Sequence, residues 1–297
     1  MSMKKGDFVF NFLFERLKEE SLLYERMPNL DRLKDLSHRW GYDDEFTEKE
    51  RFRLIQKYTN LPKKDMRILD MAAGCGSFFV QGNNNGYNVY GVEPEKWKLQ
   101  LIEHKIESNG YNQEWKKKCK EGVGEALPFD DLFFDVVDSW QTFEHVQDVE
   151  ACLLEIFRTL KLGGIAIIRA PSYLSFFEGH YRIMWWPLMP KPLASLYLKL
   201  RKRPLKGLET FHNIYYTKLA NIASRVGFKV RNIKKIEYKE DKFNKWGLNR
   251  NSGSEFLISA CYYLSSLYHF ARSFNKYERH LHILLEKRDQ RIDSITR

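Results

Sequence analysis

Ile68-Leu69-Asp70-Met71-Ala72-Ala73-Gly74-Cys75-Gly76 is an apolar strand running into a turn of small residues, and a helix follows it. Small residues let the backbone approach a ligand closely, and the N–H groups at a helix start meet its polar or anionic end. A Gly-rich turn by itself is weak evidence. About twenty residues on, Val89-Tyr90-Gly91-Val92-Glu93-Pro94 is a second strand ending in a carboxylate, the spacing that places an acid on a ribose diol. A dinucleotide fingerprint would need a third glycine where Phe79 stands, so nicotinamide binding ranks far behind.

Working outward, strands and helices alternate, which predicts a doubly wound, mostly parallel α/β sheet covered on both faces. The strand candidates are Arg67–Met71, Asn88–Glu93, Phe134–Ser139, Ile165–Arg169 and Phe228–Ile233, with a weak one near Lys116–Gly122 and a last one at Leu281–Leu285. A helix after Asp148 carries Val149, Cys152, Leu153, Ile156, Phe157 and Leu160 on one face, and Gly163-Gly164 is read as its stop. Another is read from Thr217, as N-cap, to Gly227. The domain reading is a helical N-terminal cap over 1–60, a core over 61–240 with a lid insertion at 172–216, and a second insertion plus the last strand over 241–297. Long insertions at strand ends of an α/β core are where lids and substrate pockets are built.

The stretch from Arg67 to Ser172 resembles the class I S-adenosylmethionine-dependent methyltransferases, in particular the type 11 group with its ubiquinone-pathway relatives. Asp70 through Gly76 resembles the family's first motif, whose turn cradles the amino-acid end of the cofactor. Glu93 matches the acid on the ribose hydroxyls, and Gly122-Val123-Gly124-Glu125-Ala126-Leu127-Pro128-Phe129 the adenine-contacting segment. Phe134-Asp135-Val136-Val137 with Phe143-Glu144-His145-Val146 resembles the fourth-strand motif, and Leu160-Lys161-Leu162-Gly163-Gly164 the turn before the fifth strand. The resemblance implies a seven-stranded Rossmann-like sheet and S-adenosylmethionine bound by Asp70, Ala72, Gly74, Gly76, Glu93, Gly124, Glu125 and Trp140. The chain departs from the family at Ala72, where a glycine is usual, so a positive φ there would require the loop to shift. It departs also at Val123, which replaces an adenine-binding Asp.

Methyl transfer needs proximity and orientation, and a hydroxyl acceptor adds the need for a base. His145, after the fourth strand, is the candidate base. Glu144-His145 resembles a metal-holding position of some quinone O-methyltransferases, but Gln141 stands where those have a second carboxylate, so no metal is expected. Tyr173, His180 and Tyr181 are the acceptor-facing candidates from the insertion; for any one of them, packing of the lid is the stronger reading. The implied reaction is O-methylation of a small-molecule, glycan or lipid-linked acceptor. A nucleic-acid methyltransferase ranks lower, because Ser139-Trp140-Gln141-Thr142 replaces the Asn/Asp-Pro-Pro-aromatic run of amino-directed enzymes. A non-catalytic protein keeping the fold is the third reading; the retained Glu93 argues against it.

Charge is unevenly placed. Residues 171–297 carry 24 Lys and Arg against 10 Asp and Glu, a net +14, whereas residues 1–170 carry 25 against 29. Leu193, Leu196, Tyr197 and Leu200 form an apolar helical stripe beside Lys199, Arg201, Lys202, Arg203 and Lys206. Core packing is the favoured reading of that stripe, with peripheral membrane contact through 191–206 as the alternative. Trp185-Trp186-Pro187 is read as a lid anchor or a lipid contact. The four cysteines lie far apart, and the first residues lack the apolar run of a signal peptide; both fit a cytoplasmic protein, membrane-peripheral at most.

Overall fold

A computed structural model describes residues 5–42, 48–246, 252–272 and 280–288. Three helices come first: α1 (Lys5–Ser21), α2 (Leu30–Tyr42) and α3 (Lys49–Tyr58). The alternating part follows as β1 (Arg67–Met71), α4 (Ser77–Asn84), β2 (Asn88–Glu93), α5 (Lys96–Ser108), β3 (Cys119–Glu121), β4 (Phe134–Trp140), α6 (Val149–Thr159) and β5 (Leu160–Pro171). The insertion holds a short hairpin, β6 (Phe177–Glu178) and β7 (Ile183–Met184), and α7 (Lys191–Leu200). Then come α8 (Tyr216–Val226), β8 (Phe228–Asn232), α9 (Ile233–Trp246), α10 (Ser252–Arg272) and β9 (His280–Lys287).

The sheet has seven strands in the order β3-β2-β1-β4-β5-β9-β8, and β9 runs antiparallel to both neighbours. The order reverses between β1 and β4, so the carboxyl ends of β1, β2 and β4 open a crevice at the switch point. Alternation along the strands sorts the core into two layers. Leu69, Met71 and Val137 pack with Cys152, Leu153 and Ile156 of α6 and Leu219 of α8. Ile68 and Val136 pack on the other face with Phe52 of α3, Phe78 and Phe79 of α4, and Ile102 of α5.

That second face also receives Asp70 and Asp138, which are register partners on β1 and β4 and are both buried. Two carboxylates placed side by side in a core demand a cation. Arg51 of α3 supplies it: one NH2 group donates to Asp70 at 2.6 Å, and Nε donates to Asp138 at 2.6 Å. The guanidinium lies 3.8 Å over the Phe78 ring, and Phe52, one residue on, stacks on the same ring at 4.2 Å. The N-terminal helical segment is thereby fastened to the strand ends that border the crevice.

Several sequence expectations are corrected. Thr217 lies inside the first turn of α8, whose N-cap is Tyr215 without a side-chain cap bond. Gly163-Gly164 does not stop α6, which ends at Thr159. The glycine pair sits where the β4–β5 register shifts, between Phe134↔Leu160 and Val136↔Ile165. Ile233 opens α9 instead of closing β8. The weak third strand exists, but over three residues only. In α7 the buried residues are Ala194 and Leu198, while Leu193, Leu196 and Leu200 face outward, so the favoured core reading of that stripe is overturned. Trp185 is buried as an anchor and Trp186 is exposed. Among the described residues no helix is long and apolar enough to cross a membrane.

Removing the cation from a buried three-charge cluster leaves two facing carboxylates, so Arg51→Met is expected to cost about 3–5 kcal/mol at pH 7. Burial already pushes the Asp70 carboxyl up to about 7 against the pull of Arg51, so lowering the pH lets both acids enter the fold neutral and the loss should shrink. Urea unfolding at pH 7 and pH 5 checks this; an equal loss at both would show that the guanidinium packs without neutralising.

Candidate active site

The crevice opens into a cavity of about 1350 Å³. Its floor is the turn after β1. Ala72 adopts φ +63, so the chain tolerates the left-handed conformation at a non-glycine residue instead of shifting the loop. Such a conformation costs roughly 1–2 kcal/mol. It persists because the next residue is tied at both its amide and its carbonyl: the Ala73 N–H donates to the Val92 carbonyl at 2.9 Å, and the Gly76 N–H to the Ala73 carbonyl at 2.9 Å. Lys105 of α5 reaches in and donates to the Cys75 carbonyl at 2.7 Å.

The glycines of the turn have different tasks. A Cβ at Gly74 would meet no protein atom within 4 Å, so the turn presents bare backbone to open cavity. A Cβ at Gly76 would stand 2.5 Å from Ile102 of α5; this glycine permits helix packing and does not line the cavity. Asp70 is absent from the lining as well, its carboxylate being engaged by Arg51, which does line the cavity.

Glu93 is 2% exposed and lines the cavity from the end of β2. One carboxylate oxygen accepts the Gly74 N–H at 2.8 Å and the other the Glu95 N–H at 3.1 Å. Burial raises its pKa; Lys98, 3.9 Å away, and the two N–H donors pull it back. A carboxylate oxygen accepts more than one hydrogen bond, so the group that fixes the turn retains lone pairs for a ribose diol. Gly124 lies tight against Cys152, and Glu125 accepts the Gln147 N–H at 2.7 Å, which fixes the loop after β4; both line the cavity, as do Ala72 and Trp140. The bare turn, the buried acid with spare lone pairs and the volume together fit S-adenosylmethionine.

The other end of the cavity is assembled from four remote segments. His145 offers its Nδ1–H to the Thr210 carbonyl at 2.6 Å, and the Thr210 hydroxyl shares a 2.7 Å hydrogen bond with that of Tyr24. His180 offers its Nδ1–H to Glu178 at 2.7 Å, and a second oxygen of Glu178 accepts the Tyr181 N–H at 2.6 Å. The His180 ring is sandwiched between Tyr24 at 5.2 Å and Phe211 at 5.1 Å. It meets His145 edge-on at 5.2 Å. Gly207 makes room for this: a Cβ there would stand 2.4 Å from the Tyr24 ring.

Burial lowers the pKa of His145, and the Thr210 carbonyl opposes the change. For His180 burial also pulls downward, but Glu178 outweighs it and the net shift is upward. Glu144 is fully buried beneath the pair with neither carboxylate oxygen hydrogen-bonded among the described residues, and desolvation pushes it up to about 7. One ligand atom each from Glu144, His145 and His180 lies within 4.8 Å of the others. Gln141, at φ +57, adds no ligand to that trio, whereas the insertion contributes His180.

Of the residues read from the sequence, the structure brings Ala72, Gly74, Glu93, Gly124, Glu125, Trp140, His145 and His180 to one cavity. Tyr173 and Tyr181 are not in it. Both are buried: Tyr173 stacks on Phe211 at 5.4 Å and Tyr181 on Trp185 at 6.3 Å, so they build the wall behind the site. The sequence reading missed Tyr24, Arg51, Glu178 as the partner of His180, and the part of α1 around Arg16 and Glu20 that covers the cavity. Glu178 alone had a local signal, two residues before His180.

The strand order and this crevice define an α/β protein that binds a nucleoside cofactor at its switch point. A family model described as a methyltransferase domain matches residues 69–168. That region, about a third of the chain, is similar to the class I methyltransferases that take their methyl group from S-adenosylmethionine. An uncharacterized methyltransferase of Schizosaccharomyces pombe is 32% identical over 123 residues, 38% of this chain and 42% of that protein. The chloroplastic 2-methyl-6-phytyl-1,4-hydroquinone methyltransferase 1 of Oryza sativa is 27% identical over 128 residues, 42% of this chain and 37% of that protein. The chain thus spans well under half the length of either curated relative. The crystal structure of a methyltransferase from Galdieria sulphuraria superimposes with a TM-score of 0.50 at 15% identity, covering 86% of this chain and 88% of that one, which places the fold.

The unpaired Glu144 yields a test with a definite sign. The folded state holds its proton more tightly than the unfolded chain, so stability is drawn down as pH rises from about 4.5 to about 7. Glu144→Gln removes that cost. Its advantage in unfolding free energy over the unsubstituted protein, read from urea titrations, should be smallest at pH 5 and level off above pH 7, at no more than about 3 kcal/mol on ~1.4 kcal/mol per pH unit. A difference that stays flat from pH 5 to 8 would mean Glu144 is not the desolvated acid described.

Proposed function

We propose that the chain methylates a hydroxyl oxygen of a small-molecule, glycan or lipid-linked acceptor, seated between His145 and His180. The observation that carries this reading is the pair of histidines whose Nδ1 atoms are both committed, to the Thr210 carbonyl and to Glu178. A ring that donates through Nδ1 keeps a lone pair on Nε2 while neutral. His145 is the base of the pair, because burial keeps it neutral near pH 7. His180, held by Glu178 and by the Tyr24 and Phe211 rings, orients the acceptor.

S-adenosylmethionine, when bound, supplies an electrophilic methyl carbon on a sulfonium. Glu93 would hold the ribose diol and the Ala72–Gly74 backbone the amino-acid end. Nε2 of His145 would take the proton of the acceptor hydroxyl as that oxygen is methylated, the donor's sulfonium supplying the methyl group and keeping the C–S electron pair. Orientation of these groups in the cavity supplies most of the acceleration such a displacement requires.

Titration calorimetry with S-adenosylmethionine tests the donor site. Glu93→Ala should weaken binding by about 100-fold, the order of two lost charge-assisted hydrogen bonds. Retained micromolar affinity would move the cofactor elsewhere. A screen of hydroxylated acceptors with tritiated donor tests the chemistry. On the acceptor that is methylated, His145→Ala should lower kcat by about 10²–10⁴ and leave donor affinity within about twofold. The pH profile should rise through an ionisation below the ordinary histidine range. A variant that keeps its kcat would assign the base elsewhere.

A further inference from the structure

α7 turns its apolar stripe away from the protein. Ala194 and Leu198 face inward, whereas Leu193, Leu196 and Leu200, at helical positions i, i+3 and i+7, share the outer face. Leu196 is 56% and Leu200 75% exposed. The hairpin extends this surface. From Ile183 to Trp186 burial alternates with the strand period: Ile183 and Trp185 point in, Met184 and Trp186 point out, the latter 71% exposed. The Tyr197 hydroxyl donates to the Met184 carbonyl at 2.9 Å, which fixes this edge against the flank of α7 on which Leu193 lies. At the helix's other end, Met27, 90% exposed, and Leu200 border one surface cleft.

The rest of that cleft is cationic, its walls being Arg26, Arg201, Lys202 and Arg203. None of the four takes part in a salt bridge among the described residues, whereas Lys191 at the start of α7 pairs with Glu209 at 2.8 Å. Exposed apolar side chains bordered by unpaired cations match the boundary between lipid phosphates and acyl chains, and a tryptophan at the border is the usual occupant of that depth. A stripe of three leucines is narrow for a protein interface, which must bury on the order of 1,200 Å² with a matching shape. A bilayer imposes no shape requirement.

We propose that this face docks the chain on an anionic lipid bilayer. Leu193, Leu196, Leu200, Met184 and Trp186 enter the headgroup–acyl boundary, and the Arg201-Lys202-Arg203 run lies on the phosphates. The attachment is peripheral. It does not rest on the acid–base reading of the cavity. It does set that cavity close to the membrane, because His180 lies in the turn between β6 and β7, three residues from Ile183.

Flotation of the full chain with vesicles tests this, using phosphatidylcholine alone and phosphatidylcholine with about a quarter phosphatidylglycerol. The chain should float with the anionic vesicles at low salt and release at high salt. Binding should fall at least tenfold for the Leu196→Asp/Leu200→Asp double variant and for the Arg201→Glu/Lys202→Glu/Arg203→Glu triple variant. All substituted side chains lie on the surface, and unchanged melting curves confirm that both variants fold. No flotation at low salt, or flotation indifferent to either set, overturns the proposal. So does a dimer in light scattering that the leucine variant dissociates while vesicles go unbound, which would assign the face to a second copy of the chain.

Discussion

The contact of Arg51 with the carboxylates of Asp70 and Asp138 joins the N-terminal helices to the two central strands of the sheet. The two acids come from the central strands β1 and β4, at the level where the strand order reverses, and they occupy the face that α3 covers. An aspartate pair in a core is tolerable only with a cation between them, and that cation comes from a helix 19 and 87 residues away. Docking α3 through Arg51, Phe52 and Phe78 sets where the N-terminal segment lies. α1 lays Arg16 and Glu20 along the cavity, and the turn after it adds Tyr24. The turn after β1 borders the same cavity as Arg51, and its own backbone bonds to Val92 and within the turn hold its left-handed conformation.

Glu93 shows the same economy in the ligand site. Its carboxylate closes the turn through the Gly74 N–H, so the acid proposed to receive the ribose is also the one that shapes the loop. A group fixed in this way loses little further freedom on binding, which is how preorganisation raises affinity. The cost is a buried acid with a raised pKa, moderated by Lys98 and two backbone donors.

What the sequence disclosed follows the range of the interactions. β1 and β2 were read to the residue, because a buried parallel strand is a local apolar run and its turn is a local run of small residues. Most of the residues assigned to the cofactor lie in one cavity, and they were legible for the same reason. Asp70 was misplaced, since a motif gives a residue's position along the strand but not which neighbour claims its side chain. Tyr24 and Arg51 were not legible at all: their partners are Thr210, His180 and Asp138, and no local pattern marks such pairs. In the insertion, Tyr173 and Tyr181 had the same apparent standing as His180. Only the packing against Phe211 and Trp185 separates wall from lining.

The α7 stripe marks a different boundary of such reading. Its period identified a helix with an apolar side correctly, and the inference that this side meets the core failed. Periodicity reports that a helix separates two media; it does not report whether the apolar medium is the protein interior or lipid. Charge helps decide. The excess of +14 over residues 171–297 includes the unpaired cluster beside Leu200, while acids such as Glu20, Glu93 and Glu144 line the cavity, where a sulfonium would be held. Opposite fields on the two sides of one insertion would draw a cationic cofactor into the cavity and an anionic surface onto α7 without competition between them.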